Sequence, residues 1–184
     1  MFPNIDFHSR KKWRKNVLYR LLIPHIDKLS KYDRLLYVDT DTLFFKDFDF
    51  LFDLPFDFNY GMFYYRKHCE LDICRELKRA LNKAYIYVNE QCPSIEARYP
   101  FPYYNAGVLV INNHMIRENI ERWDFALSEF NRIYNPDVFI HNDQMFLNMF
   151  FKFDEYRSNE WEVNVDSFTK NAVIGHFYGQ SNPI

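Results

Sequence analysis

Leu35-Leu36-Tyr37-Val38-Asp39-Thr40-Asp41 is the stretch on which the reading of this chain turns. Four apolar residues stop abruptly at two carboxylates one residue apart. The apolar run predicts a buried strand, which places the acidic pair at its carboxyl end. In open α/β sheets, ligands gather beyond the carboxyl ends of strands. Two carboxylates at this spacing can converge on one cation, and oxygen ligands suit hard divalent ions such as magnesium or manganese. An isolated Asp-x-Asp is more often a solvated acidic turn. Here Leu43-Phe44-Phe45 follows, so the expectation is a turn held between two buried runs.

On either side the pattern alternates between helix and strand, which predicts α/β architecture. Ser9 can cap a helix over 11–23, ended by Pro24. A strand is expected over 60–65. An amphipathic helix over 70–83 would turn Ile73, Leu77, Ala80 and Leu81 to one face. A short strand is expected at 85–88, and Pro93, Pro100 and Pro102 mark a loop. Gly107-Val108-Leu109-Val110-Ile111 reads as the clearest strand. One long helix is expected over 115–133, another over 141–151, and a late strand over 172–178.

Composition narrows the classes. The 184 residues are 48% hydrophobic and 26% charged, which fits one globular domain with a sizeable core. A net charge of −2 gives no general pull toward nucleic acid or anionic membrane, so no nucleic-acid partner is expected. Aromatic residues make up 20%; they can fill a core or stack on sugars and bases. Three cysteines, Cys69, Cys74 and Cys92, argue against a disulfide framework or a zinc ribbon. No stretch reaches the roughly 18 apolar residues of a membrane span. The first residues are polar and basic, and a cytoplasmic location is inferred.

Three further constellations carry chemistry. His176-Phe177-Tyr178-Gly179 ends an apolar strand. A lone histidine is usually structural, but an imidazole can complete a site begun by two carboxylates and favours manganese over calcium. Gly179 could let backbone approach a phosphate. Asn105-Ala106-Gly107 precedes the clearest strand; its amide could hold sugar hydroxyls, or the trio could simply turn. Asp143-Gln144 opens a helix, where acidic charge also serves as an ordinary cap. The chain has no Walker loop, dinucleotide fingerprint, G-x-S-x-G elbow or H-E-x-x-H pair.

In order, these pieces resemble glycosyltransferase family 8, the group of glycogenin and the bacterial lipopolysaccharide galactosyltransferases. The segments are Leu18-Tyr19-Arg20-Leu21-Leu22, Leu36-Tyr37-Val38-Asp39-Thr40-Asp41, Tyr104-Asn105-Ala106-Gly107, Asn142-Asp143-Gln144-Met145-Phe146-Leu147-Asn148 and the ending from His176 to Ile184. The resemblance implies an α/β GT-A (Rossmann-like) fold, a mixed sheet flanked by helices. It implies a retaining hexosyltransferase that uses a UDP-sugar donor, manganese or magnesium, and a glycan or lipopolysaccharide-type acceptor. By resemblance Asp39, Asp41 and His176 would bind the metal. Arg20, Asn105, Ala106, Gly107, Gly179 and Asn182 would bind the donor, and Gln144 and Asp143 would lie at the reacting carbon.

The pattern is broken in two places. Asn182 stands where the family has a lysine, and Ile184 where it has tryptophan. The family also has an opening strand before the arginine helix, and a βαβ unit takes roughly 30 residues or more. Only 19 residues precede Arg20 here. The expectation is therefore one domain over residues 1–184 with its first βαβ unit missing or incomplete, lacking the N-terminal nucleotide-binding strand. Two alternatives follow: a non-catalytic nucleotide-sugar or carbohydrate-binding remnant, and a metal-dependent phosphohydrolase using Asp39 and Asp41.

Overall fold

A computed structural model describes residues 19–55, 60–64, 73–100, 103–135, 137–139, 142–156, 163–164 and 172–177. A 3₁₀ segment, Tyr19–His25, leads into β1 (Arg34–Val38) and β2 (Thr42–Phe44). A second 3₁₀ turn, Asp49–Asp53, precedes β3 (Tyr60–Tyr64) and α1 (Ile73–Gln91). β4 (Tyr104–Asn112) runs into α2 (Asn113–Glu118), α3 (Ile120–Ile133) and α4 (Asn142–Phe150). The short strands β5 (Asp154–Tyr156), β6 (Val163–Asn164) and β7 (Ile174–His176) follow.

The strands form two sheets. The larger has the order β1-β4-β3-β5 and is mixed: β1 and β3 run antiparallel to β4, and β5 parallel to β3. The smaller has the order β2-β7-β6, with β2 antiparallel and β6 parallel to β7. β4 holds the centre because eight of its nine residues are buried. One of its faces (Tyr104, Ala106, Leu109, Ile111) joins the large core under the helices, and the other (Val108, Val110) joins Leu51, Leu54, Val173 and Ile174. Strand side chains alternate faces with a period of 2. Here the large core takes even positions up to 106 and odd positions from 109, so the alternation changes phase near Gly107.

The pairing shows why. Met62 pairs with Leu109, but the next residue, Phe63, pairs with Asn105. Residues 106–108 are thus skipped by β3, a bulge that re-aims the strand. The aromatic wealth of the sequence fills the large core. Phe130 sits 5.0 Å from Phe139, 4.8 Å from Phe146 and 5.7 Å from Phe150, ring centre to ring centre. Such pairs add roughly 0.5–1.5 kcal/mol each beyond the area they bury.

Four expectations are corrected. Among the described residues β1 is a half-buried edge strand, not a fully buried one. Leu43, Phe44 and Phe45 are 40–43% exposed, because β2 is itself the edge of the small sheet. The strand expected at 85–88 is instead the last part of α1. Leu77, Leu81, Ala84 and Val88 continue one buried helical stripe. The single helix expected over 115–133 breaks at Asn119, whose side-chain amide donates to the Met115 carbonyl at 2.9 Å and competes with the helical ladder. The helix expected over 11–23 falls mostly outside the described residues; its end is the 3₁₀ segment, with Pro24 inside it.

That 3₁₀ segment is firmly docked. Trp123 Nε1 donates to the Leu21 carbonyl at 3.0 Å, and Arg117 to the Pro24 carbonyl at 2.7 Å. The backbone around Arg20 is therefore anchored from α3 and α2. Cys92 is a buried free thiol, 3.0 Å from Glu129 Oε2, which links the end of α1 to α3. Among the described residues, no helix is long and apolar enough to cross a membrane.

Candidate functional site

Chain reversal after β1 brings the acidic pair back against β7. Thr42 pairs with His176, and Phe177 N donates to the Asp41 carbonyl at 2.9 Å. The imidazole is thereby placed beside both carboxylates. His176 Nε2 lies 3.0 Å from Asp41 Oδ1 and 3.6 Å from Asp39 Oδ2. One ligand atom from each of the three residues falls within 4.8 Å of the others. The His176 side chain is 1% exposed and that of Asp41 46%, so the cluster opens toward solvent on the Asp41 side.

Adjacent ligands around an octahedral ion with bonds of ~2.1 Å lie about 3 Å apart, and opposite ones about 4 Å. The two separations from His176 Nε2, 3.0 and 3.6 Å, fall in that range. The donor set, two carboxylates and an imidazole, suits a hard or borderline divalent cation such as magnesium or manganese. The residues therefore fit a cation on both distance and chemistry.

Beside the cluster lies a buried arginine. Arg20 NH2 meets Asp39 Oδ1 at 2.9 Å, Nε meets Asp143 Oδ2 at 2.7 Å, and NH1 donates to the Ala106 carbonyl at 2.6 Å. Its guanidinium also lies 4.5 Å from the centre of the Tyr37 ring. A planar fork can serve several acceptors at fixed angles, which a lysine ammonium cannot do. Tyr37 OH donates to Asp39 Oδ1 at 2.6 Å. One oxygen of Asp39 thus faces Arg20 and Tyr37, and the other faces His176.

The bulge explains how Asn105-Ala106-Gly107 serves this place. The backbone groups of Ala106 and Gly107, released from β3, are taken up locally. Ala106 N donates to Gln144 Oε1 at 3.0 Å, and the Ala106 carbonyl accepts from Arg20. Gly107 N donates to Asn105 Oδ1 at 2.6 Å, and the Gly107 carbonyl accepts from Asp39 N at 2.8 Å. Buried backbone polar groups are nearly always paired, and here the site residues are the partners. Asn105 is 3% exposed, and its oxygen caps this bulge.

Asp143 and Gln144 come from the first turn of α4. Asn142, just before them, has φ 38°, a left-handed conformation that asparagine tolerates better than most residues. Its side chain accepts from Tyr134 OH. Asp143 is 5% exposed. Burial pushes its carboxyl up to about 6; the Arg20 cation pulls it back down, and the negative charge of Asp39 raises it further. Burial likewise pushes the Tyr37 phenol well above its usual range, against the pull of Arg20, so it stays a neutral donor.

Two residues that matter here lay within the quoted segments but were given no role. One is Tyr37. The other is Asn148, whose side chain brackets the Tyr104 backbone, accepting from its N at 3.0 Å and donating to its O at 2.9 Å. It also donates to the Gln144 carbonyl at 2.8 Å. An amide on an otherwise apolar helix face was the available signal for Asn148. Gly179 and Asn182 lie outside the described residues. A cavity of about 520 Å³ is lined by Arg98, Arg122, Phe125 and Lys152 among others, with none of the site residues on its wall. The candidate chemistry lies instead at the strand ends.

This arrangement of strands and helices is similar to that of solved glycosyltransferases. The chain is similar to an apo structure of WbbM, described as a bifunctional glycosyltransferase: TM-score 0.55, 14% identity, 96% of this chain and 33% of that one. It is also similar to an active-site mutant of LgtC: TM-score 0.56, 18% identity, 97% of this chain and 62% of that one. The chain thus spans about a third of the first and under two thirds of the second. The architecture is the GT-A fold. The family model for glycosyl transferase family 8 matches residues 2–183, and the chain belongs to that family. No curated protein sequence matches it.

Proposed function

We propose that this chain moves a hexose from a UDP-sugar to a hydroxyl of a glycan or lipopolysaccharide-type acceptor, with retention at the anomeric carbon. The observation that carries this reading is the convergence of Asp39, Asp41 and His176 beside the buried Arg20–Asp143 pair. Asp39, Asp41 and His176 would hold a divalent ion, manganese or magnesium. Such an ion stabilises the negative charge that develops on a diphosphate leaving group.

The chain's own residues supply position and charge. Tyr37 and Arg20 fix the rotamer of Asp39 from one side, leaving its second oxygen directed at the cluster. Gln144 is held by Ala106 N, so the start of α4 stays registered against the strand end. Retention by two displacements needs a carboxylate nucleophile, and an amide is a poor one. Asp143 is the one carboxylate at the start of α4, and it is buried and paired with Arg20. This arrangement favours attack by the acceptor hydroxyl on the same face as the departing diphosphate. Arg20, in ion-pair contact with both carboxylates, would offset the charge on that side. Gly179 and Asn182 complete the proposed donor contacts, and the location is proposed to be cytoplasmic.

Release of UDP from UDP-glucose and UDP-galactose, with and without manganese, tests the reading, with Asp41→Asn as control. Manganese-dependent release that falls by orders of magnitude in Asp41→Asn supports it. UDP binding without turnover would instead favour a non-catalytic remnant, in keeping with Asn182 in place of a lysine. Phosphate release from simple esters would favour a phosphohydrolase.

A further inference from the structure

We propose that Gly107 is a positioning residue for the cation cluster: its missing side chain is the space in which the His176 imidazole sits. This rests on the cation reading above, and it gives the glycine a task distinct from contact with the sugar. A Cβ placed on Gly107 would lie 2.1 Å from His176 Cε1 and 2.6 Å from both ring nitrogens. Carbon atoms in good contact are about 3.5–4.0 Å apart. Any side chain at 107 therefore displaces the ring by on the order of 1 Å, against a tolerance of about 0.2 Å in metal–ligand distances.

The ring cannot easily yield. His176 is 2% exposed, and β7 is fixed on one side by β2 and on the other by β6. Its neighbour Gly175 is also closely confined, since a Cβ there would meet the Phe45 ring at 2.9 Å. Gly107 in turn cannot retreat. Its N–H and carbonyl are bound to Asn105 Oδ1 and Asp39 N. The same residue thus seats the imidazole and tethers the backbone of Asp39. Two of the three cluster residues are referenced to one point on β4. Gly107 is required by this close approach, which also explains why the bulge falls at this point: it turns a bare Cα toward β7.

The test is a double-variant cycle on Gly107→Ala, His176→Ala and the combination, read by metal-free Tm and by manganese affinity from electron paramagnetic resonance. In the wild-type background, Gly107→Ala should lower the metal-free Tm by on the order of 5 °C through overpacking. It should also weaken manganese binding about as much as His176→Ala does, roughly 10- to 100-fold. In the His176→Ala background the added methyl has room, so Gly107→Ala should change neither Tm nor affinity further. Equal loss of Tm in both backgrounds overturns the proposal, as does unchanged manganese affinity in Gly107→Ala when His176→Ala weakens it. If Gly107→Ala alone does not fold, folding of the double variant supports the seat, and failure of both overturns it. Equal manganese affinity in wild type and His176→Ala would sink the cation reading itself; the Tm cycle, which needs no metal, would then judge the steric seat alone.

Discussion

Replacing Asp143 with asparagine keeps the shape of the side chain and removes its titration. In the folded chain burial raises this carboxyl from an ordinary 3.8 to about 6, with Arg20 opposing and Asp39 adding to the rise. The sign follows from linkage. A group whose folded value is raised contributes stability at low pH, below its unfolded value, and that contribution is lost as pH climbs through the folded value. The window is therefore about pH 4 to 6. At ~1.36 kcal/mol per pH decade, the interval from 3.8 to about 6 is worth about 3 kcal/mol. Many other carboxylates titrate in the same range, so the informative quantity is the difference between the two proteins. Urea unfolding of metal-free wild type and Asp143→Asn at pH 4, 5, 6 and 7 measures it. The asparagine variant should gain on wild type as pH rises, by up to about 3 kcal/mol, and the gain should level off above pH 6. An asparagine variant that loses ground with rising pH would show that the 2.7 Å Arg20 contact, rather than burial, dominates, and would refute this reasoning.

Tyr37→Phe removes the hydroxyl that orients Asp39 while keeping the ring under Arg20. Manganese affinity by calorimetry should fall about tenfold, with a stability loss of only about 1 kcal/mol; unchanged affinity would mean that Arg20 alone orients the carboxylate. Asn148→Leu strips partners from both backbone groups of Tyr104. Chemical denaturation should show a loss of about 1–3 kcal/mol, the usual cost of removing hydrogen bonds from a buried polar site. Arg20→Lys keeps one charge but cannot reach Asp39, Asp143 and the Ala106 carbonyl together. It should lower UDP release from a UDP-sugar by at least ~100-fold while the circular dichroism spectrum is preserved.

Much of this arrangement can be read in the residues because the site is built at strand ends and helix starts, where residue type is tightly constrained. The apolar run before Asp39, the run after Gly107 and the polar opening of α4 each announce an element and the side chains at its tip. Their order along the chain marks the family. What could not be read depends on tertiary contact. Nothing local in Leu43-Phe44-Phe45 reveals that β2 is an edge strand with uncovered rings. Tyr85 to Val88 has strand-like composition, yet the stripe begun at Leu77 carries the helix through it. Asn105-Ala106-Gly107 could be picked out ahead of its strand, but the group that approaches Gly107, an imidazole from a strand 69 positions further on, emerges only from the packing. Tyr37 looked like one more strand aromatic, since its hydroxyl acts on Asp39 two residues on in a geometry set by Arg20.

The most direct measurement is anomalous scattering from crystals grown with manganese and UDP. The account predicts a single strong manganese peak about 2.0–2.2 Å from a carboxylate oxygen of Asp39, one of Asp41 and Nε2 of His176. Manganese bound elsewhere, with the imidazole still 3.0 Å from the Asp41 carboxylate, would contradict it.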